Sequence, residues 1–208
     1  DVSVSRLESG IDKYTAYRRM DSIKTFERQL TDDGYVIVKF FLHISQKEQK
    51  RRFDKLESSS DTKWRVTPLD RMHNKQYNHD FKVFDEMLEY TNMEYAPWHI
   101  VSATDHRNAM LEIYRTLCTA IEDAIAKKQE PSPLSDKLIS NPAILLPMPK
   151  LSEIDLSKKA NPDKYKEILK DEQKKLSALH NKLYRERIPV IIVYEGWDAA
   201  GKGGNIKR

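Results

Sequence analysis

Apolar positions follow two different periods along the first part of the chain. Residues 11–31 place Tyr, Ile, Phe and Leu at helical spacing, which predicts a helix over that range. Residues 35–44 are instead a dense apolar run with a single interior charge, the pattern of a strand that a parallel sheet buries on both faces. Ser45, with Glu48 three positions later, predicts that a helix begins directly after this strand. The segment is therefore half of a βαβ unit.

The later part of the chain repeats this succession of strands and helices. Thr67, followed by Pro68, and Asp105 are predicted helix starts because their side chains can accept hydrogen bonds from the first backbone amides of a helix. The periodicity predicts further helices over residues 77–88, 106–125 and 165–183, and strands over residues 98–103 and 188–194. These elements predict a helix-rich α/β fold in which helices flank a parallel sheet.

Proline marks a boundary in the second half of the sequence. Five of the nine prolines fall between residues 127 and 149, which predicts a linker between two domains. The predicted division is residues 1–128 as one part, residues 129–159 as the linker and residues 160–208 as the start of a second part. Two arrangements are open: strand 188–194 lies beside strand 35–44, or the two sit apart and each keeps an unpaired edge.

Composition narrows the class of protein. The chain has 208 residues, of which 39% are hydrophobic and 33% charged, as in an ordinary globular protein. Its single cysteine, Cys118, excludes an intramolecular disulfide and a cysteine-rich zinc site. We expect no membrane span, no nucleic-acid partner and a cytoplasmic location. The net charge of +4 is compatible with a polyanionic substrate without arguing for one.

Glycine is scarce except at one place. Four of the six glycines lie between Gly196 and Gly204, directly after strand 188–194. Gly196, four intervening residues, Gly201 and Lys202 have the spacing of a phosphate-binding loop between a strand and a helix. In such a loop the backbone amides converge on anionic oxygens, and the lysine ammonium adds a positive charge. The alternative is a glycine turn with a purely structural role.

One position departs from the general phosphate-loop pattern. Gly203 stands where a Ser or Thr hydroxyl usually binds magnesium. Asp198, inside the loop, is the nearest alternative oxygen donor and is our predicted Mg²⁺ ligand. A local turn stabilised by the Asp198 side chain is the competing interpretation.

The segment 195–204 resembles the phosphate loop of the polyphosphate kinase 2 family, in which Asp-Ala-Ala-Gly-Lys-Gly replaces the usual version. Residues 39–45 resemble a late strand of the family, residues 63–70 resemble its lid, and residues 95–98 resemble the entry to its last strand. In a single domain of the family these motifs would follow the loop, whereas here they precede it. This order matches tandem-domain members of the family, which act on polyphosphate and AMP. The chain would then hold the end of one domain and the start of the next, and we expect it to be inactive alone.

The resemblance implies a fold similar to phosphate-loop kinases, with an incomplete sheet, and phosphoryl transfer between inorganic polyphosphate and AMP or ADP, with ATP as a related nucleotide. It implies Mg²⁺ as cofactor and a homo-oligomer as the full-length protein. Lys202 and Asp198 would be catalytic, together with the basic lid residues Lys63 and Arg65. The predicted phosphate- or nucleotide-binding residues are Gly196, Trp197, Ala199, Ala200, Gly201, Gly203 and Gly204.

The predicted lid departs from the family pattern at two positions. Arg71 follows Asp70 where the family usually has Trp, and Asn74 stands where an Arg is usual. This atypical lid favours a second hypothesis, a non-catalytic phosphate-binding or dimerisation module. A third hypothesis is a phosphate-loop ATPase or GTPase, which would need a water-positioning residue and a further acidic residue that the sequence does not display.

Overall fold

The computed structural model describes residues 2–129 and 146–206. Its sheet has three parallel strands, β1 (Val36–His43), β2 (Trp98–Ser102) and β3 (Val190–Gly196), in the order β2-β1-β3. The three strands and the parallel sheet are as predicted, although β3 begins and ends two residues later than the apolar pattern indicates. The alternation along the chain thus produces the expected α/β fold.

Eight α-helices surround this sheet in the described part of the chain. They are α1 (Val2–Glu8), α2 (Lys13–Asp32), α3 (Gln46–Glu57), α4 (Pro68–Lys75), α5 (Tyr77–Thr91), α6 (His106–Gln129), α7 (Pro162–Glu186) and α8 (Lys202–Ile206). Short 3₁₀ helices lie at Lys63–Arg65 and Leu151–Glu153. None of these helices combines the length and apolarity that a bilayer-spanning segment requires.

The residues predicted to begin helices form the expected capping hydrogen bonds. The Ser45 hydroxyl accepts from the Glu48 amide at the start of α3, at 3.2 Å. At the start of α4, Thr67 and Asp70 form a reciprocal capping box, with Pro68 in the first turn. The Asp105 carboxylate accepts from the amides of Arg107 and Asn108 at the start of α6. These local side-chain bonds explain why the helices begin where the sequence predicts.

Strand β1 lies at the centre of the core. Its side chains alternate between two faces, as in any strand. On one face the Phe41 ring lies 5.4 Å from the ring of Phe84 in α5. Val38, Phe40 and Leu42, which share the other face, are almost fully buried. Helix α6 contacts β1 and β2 and packs along its length against α7.

The open question about β3 has a definite answer in the structure. Strand β3 pairs with β1 over seven residues, from Val36 opposite Val190 to Leu42 opposite Gly196. The two strands therefore end at the same edge of one sheet, and the loop after β3 lies beside the loop after β1. About half of the predicted linker lies outside the described residues, and the division of the chain into two domains stays a prediction.

Candidate functional site

The candidate site begins where β3 ends at the carboxyl edge of the sheet. Gly196 has a φ of +137°, and a Cβ atom there would come within 2.4 Å of the Leu42 carbonyl oxygen. A glycine is therefore required twice over, by the backbone angle and by the close approach of the neighbouring strand. This contact fixes the point at which the chain leaves the sheet.

The next residue, Trp197, anchors the loop in the core. Its indole is only 2% exposed and stacks on the Tyr77 ring of α5 at a centroid distance of 4.1 Å. The indole N–H donates to Nδ1 of His43 at the end of β1, at 2.9 Å. Burial lowers the pKa of His43 to about 4, so its imidazole is a neutral acceptor at pH 7. The Trp197 side chain thus anchors the loop in the core, and the phosphate-binding role predicted for this residue stays a prediction.

The middle of the loop has an unusual backbone. Ala199 has a φ of +62° and Gly201 a φ of +100°. The Ala200 amide donates to the Trp197 carbonyl at 3.1 Å, which closes a tight turn between them. Left-handed residues interspersed with right-handed ones produce the concave backbone that binds anions in phosphate loops. Ala199 and Gly201 have the left-handed angles of such a backbone, and phosphate binding by this segment stays a prediction.

Lys202 folds back onto this loop. Its ammonium donates to the Gly196 carbonyl at 2.5 Å and to the Trp197 carbonyl at 3.2 Å. The nearest carboxylate oxygen of Asp198 lies 4.0 Å from the same ammonium, and the Asp198 side chain is half exposed. Lys202 and Asp198, the two predicted functional side chains of the loop, therefore lie close together.

A cavity of about 750 Å³ lies between the loop and the end of α3. Seven of the predicted site residues line it, from Trp197 through Gly203. Gly196 instead lines a smaller neighbouring cavity of about 180 Å³, and Gly204 lies under the His106 ring. The other side chains around the larger cavity are Arg52, Lys55, Leu56, Ser58, Ser59 and Thr62.

The predicted lid residues are not part of that lining. Lys63 and Arg65 lie on an exposed 3₁₀ helix directly after Thr62, and the Arg65 guanidinium stands 5.4 Å from the ring centre of Trp64. The positive charge at the cavity comes instead from Arg52, Lys55 and Lys202. A role of Lys63 and Arg65 in catalysis stays a prediction.

Helix α3 supplies site residues that the sequence analysis missed. Gln49 donates to the Asp198 carbonyl at 3.3 Å, and Arg52 donates to the Ala199 carbonyl at 2.8 Å. Lys55 follows at the same spacing and lines the cavity. Positions three apart on a helix share a face, so this pattern was visible in the sequence. That the face meets the loop could be known only from the pairing of β3 with β1.

The residues present fit a magnesium ion held in part by phosphate. Mg²⁺ usually binds one or two protein carboxylates and completes its coordination with water and substrate phosphates. Asp198 offers one half-exposed carboxylate at the cavity. In the described part of the chain, no group of three or more His, Cys, Asp or Glu side chains could enclose a metal without such help.

A concave loop at the carboxyl edge of a parallel sheet, with a lysine on it, is the type of site that binds phosphate groups in α/β proteins. The sequence pattern of the family named polyphosphate kinase 2 matches residues 1–130 and 159–208. The chain belongs to this family.

Two curated relatives illustrate the similarity. A polyphosphate:AMP phosphotransferase from Pseudomonas aeruginosa is 33% identical over 207 residues, which are 98% of this chain and 41% of the relative. An AMP/ADP-polyphosphate phosphotransferase from Meiothermus ruber is 27% identical over 139 residues, 67% of this chain and 52% of the relative. This chain therefore spans only about half or less of the length of these relatives.

A solved structure of the same family has a similar fold. The crystal structure of polyphosphate kinase 2 from Arthrobacter aurescens TC1 superposes with a TM-score of 0.54 at 29% sequence identity. The superposition covers 65% of this chain and 47% of the other. The arrangement of strands and helices described above is thus the arrangement of a known polyphosphate kinase 2 over most of the chain.

Proposed function

We propose that this chain contributes a phosphate-binding loop to an enzyme that transfers a phosphoryl group between inorganic polyphosphate and AMP or ADP. The observation that carries the proposal is the loop itself, in which Lys202, Asp198 and the left-handed backbone at Ala199 face one cavity. Membership of the polyphosphate kinase 2 family supports the substrate class. The relatives from Pseudomonas and Meiothermus are named for transfer between polyphosphate and AMP or ADP.

Phosphoryl transfer places specific demands on such a site. A terminal phosphate oxygen of the nucleotide attacks the terminal phosphorus of polyphosphate. The bridging P–O bond to that phosphorus breaks, and the polyphosphate leaves one phosphate shorter. The protein must hold both anions in line and compensate their charge. Lys202 suits this task because its ammonium donates hydrogen bonds to loop carbonyls. A change of side-chain rotamer would let it donate to a phosphate oxygen instead.

Asp198 is the residue we propose as a magnesium ligand. Bound Mg²⁺ would neutralise phosphate charge beside the loop. The loop amides of residues 199 and 201–203 would bind phosphate oxygens directly, and Lys55 would add positive charge along the α3 wall. We keep the cytoplasm as the proposed location and a homo-oligomer as the proposed state of the full-length protein.

A second candidate is a phosphate-binding module without transferase activity. It is favoured by the lid, since Lys63 and Arg65 stand outside the cavity lining and the lid sequence is atypical at Arg71 and Asn74. This candidate would bind polyphosphate through the same loop but form no new nucleotide. An activity assay separates the two.

The test is the rate of nucleotide formation by the gene product that carries this sequence. With polyphosphate, AMP or ADP and Mg²⁺, Lys202→Ala should lower that rate by about 10³-fold or more, because the charge on the moving phosphoryl group loses its main compensation. Lys174→Ala is the matched control, since this lysine is exposed on α7. Equal rates for Lys202→Ala and Lys174→Ala would contradict the proposed role of the loop.

A further inference from the structure

We infer that Gln49 and Arg52 of α3 are positioning residues that hold the phosphate loop in its binding shape before any ligand arrives. The inference rests on the proposed function, because it concerns the same loop. It adds two residues of a distant helix, which lie 149 and 147 positions before the loop residues that they contact. Neither residue belongs to the phosphate-loop motif.

The Arg52 guanidinium donates hydrogen bonds to three backbone carbonyls. One guanidinium nitrogen, Nη1, donates to the Ala199 carbonyl at 2.8 Å. The other, Nη2, donates to the carbonyls of Ala103 and Thr104 at 2.6 and 3.0 Å. The phosphate loop after β3 is thereby joined to the chain that follows β2. A rigid planar fork suits this bridge, because its donors point in fixed directions.

The charge of Arg52 is balanced within its own helix. Its Nε donates to Glu48 at 2.7 Å, and the exposed Arg51 bonds to the same carboxylate. Hydrogen bonds from Arg51, together with the charge and hydrogen bond of Arg52, lower the pKa of Glu48 to about 2 although burial opposes this. Glu48 is therefore ionised across the neutral range and keeps the Arg52 side chain in place.

Gln49 holds the preceding carbonyl of the loop. Its side chain is 1% exposed, and its Nε2 donates to the Asp198 carbonyl at 3.3 Å. Asn74 donates to Gln49 Oε1 at 2.9 Å, which turns the Gln49 amide so that its donor faces the loop. Asn74, where the lid departs from the family pattern, thus supports this contact from α4.

The two contacts lie on either side of the strained residue Ala199. A non-glycine residue at a φ of +62° is unfavourable and persists only where its surroundings fix it. Gln49 holds the peptide plane before Ala199, and Arg52 holds the one after it. Because carbonyl and amide point in opposite directions across a trans peptide, the Ala199 amide is oriented at the same time, and the Ala200 amide is held in its hydrogen bond to the Trp197 carbonyl. Preorganised amides bind anions without the cost of reordering the loop.

The first test measures the loop without ligand. Amide hydrogen exchange of residues 198–201 should be at least about tenfold faster in Arg52→Lys and Gln49→Met than in the unmodified chain, because local opening becomes easier. Lysine keeps the charge but cannot span three carbonyls, and methionine keeps the volume but has no donor. Arg51→Lys is the matched control, since it makes the same substitution at the neighbouring exposed arginine, which bonds to the same Glu48. Unchanged exchange in both Arg52→Lys and Gln49→Met would overturn the inference.

The second test is calorimetric titration of the 208-residue chain with inorganic tripolyphosphate at fixed salt and Mg²⁺. We expect Arg52→Lys to lose at least about tenfold in affinity, nearly as much as Arg52→Ala, while Arg51→Ala stays within about twofold. Retained affinity in Arg52→Lys, with loss only in Arg52→Ala, would mean that Arg52 acts through its charge on phosphate and would overturn the positioning role. Absence of binding in the unmodified chain would instead contradict the proposed function, and the exchange experiment would still decide the inference.

Discussion

At the scale of single residues, the site depends on positions where the backbone tolerates only one type of residue. Gly196 is the clearest, because β1 lies against it and its φ is +137°. Gly203, two residues beyond Gly201, differs completely: a Cβ atom there would meet nothing within 4 Å. The sequence motif treats these glycines alike, and the structure separates them.

Gly196→Ala should therefore lower the free energy of unfolding by at least about 2 kcal/mol, through strain and a clash with Leu42. Gly203→Ala should change it by no more than about 1 kcal/mol, and in the stabilising direction, because Gly203 lies in α8 where alanine favours the helix. Chemical denaturation of the two variants measures both values. Equal stability of the two variants would contradict the close approach of β1 and the loop.

His43 is a second residue with a property that the sequence does not reveal. It is 2% exposed, accepts the Trp197 indole N–H and has its pKa lowered by burial from 6.5 to about 4. Between these two values, the unfolded chain binds a proton at this site and the folded chain does not. Protonation therefore favours the unfolded chain, and stability falls as the pH is lowered through this window.

The His43 contribution should amount to a loss of about 3 kcal/mol between pH 6.5 and pH 4. His43→Asn supplies an amide oxygen in place of Nδ1 and cannot be protonated there. We expect the pH dependence of its unfolding free energy to be flatter than that of the unmodified chain by this amount. Parallel curves for the two proteins would show that folding does not lower the pKa of His43.

At the scale of elements, α2 is joined to the central strand by a buried ion pair. Lys39 of β1 donates to Glu27 at 2.8 Å and to the Thr91 carbonyl at 2.9 Å, and its side chain is 1% exposed. Burial lowers the pKa of Lys39, and Glu27 counteracts this. Each of the two charges is tolerated in the core because the other is present.

Lys39→Met should cost about 3–5 kcal/mol of unfolding free energy, since it leaves Glu27 buried without a partner. Adding Glu27→Gln should recover a substantial part of that loss. The measurement is a double-mutant cycle by chemical denaturation. Additive effects of the two substitutions would mean that the pair does not couple α2 to β1.

Elements with a local cause were predictable from the sequence, whereas contacts between elements were not. The capping residues Ser45 and Thr67 fix the starts of α3 and α4 through bonds to amides three positions away. Helix α1 (Val2–Glu8) was missed, because its Val-Ser-Val-Ser opening alternates with the period of a strand. It is held instead by tertiary contacts such as the ion pair of Arg6 with Glu86 of α5.

At the scale of the whole molecule, the site is created by joining two distant segments in one sheet. The motif at residues 195–204 predicts a phosphate loop, but β3 and β1 are separated by about 150 residues of sequence, and their pairing could not be derived from local pattern. That pairing brings the loop beside α3, where Gln49 and Arg52 contact it. Lys63 and Arg65 are not among the residues that line the cavity, and their predicted catalytic role in the lid stays a prediction.

We propose that this loop binds polyphosphate while a phosphoryl group is transferred to a nucleotide. The most direct test is ³¹P nuclear magnetic resonance of the gene product that carries this sequence, incubated with polyphosphate, AMP and Mg²⁺. We expect new α- and β-phosphate signals of ADP, which form as the polyphosphate signal declines and are absent in Lys202→Ala. Release of orthophosphate alone, or polyphosphate that stays unchanged with AMP, would contradict this proposal.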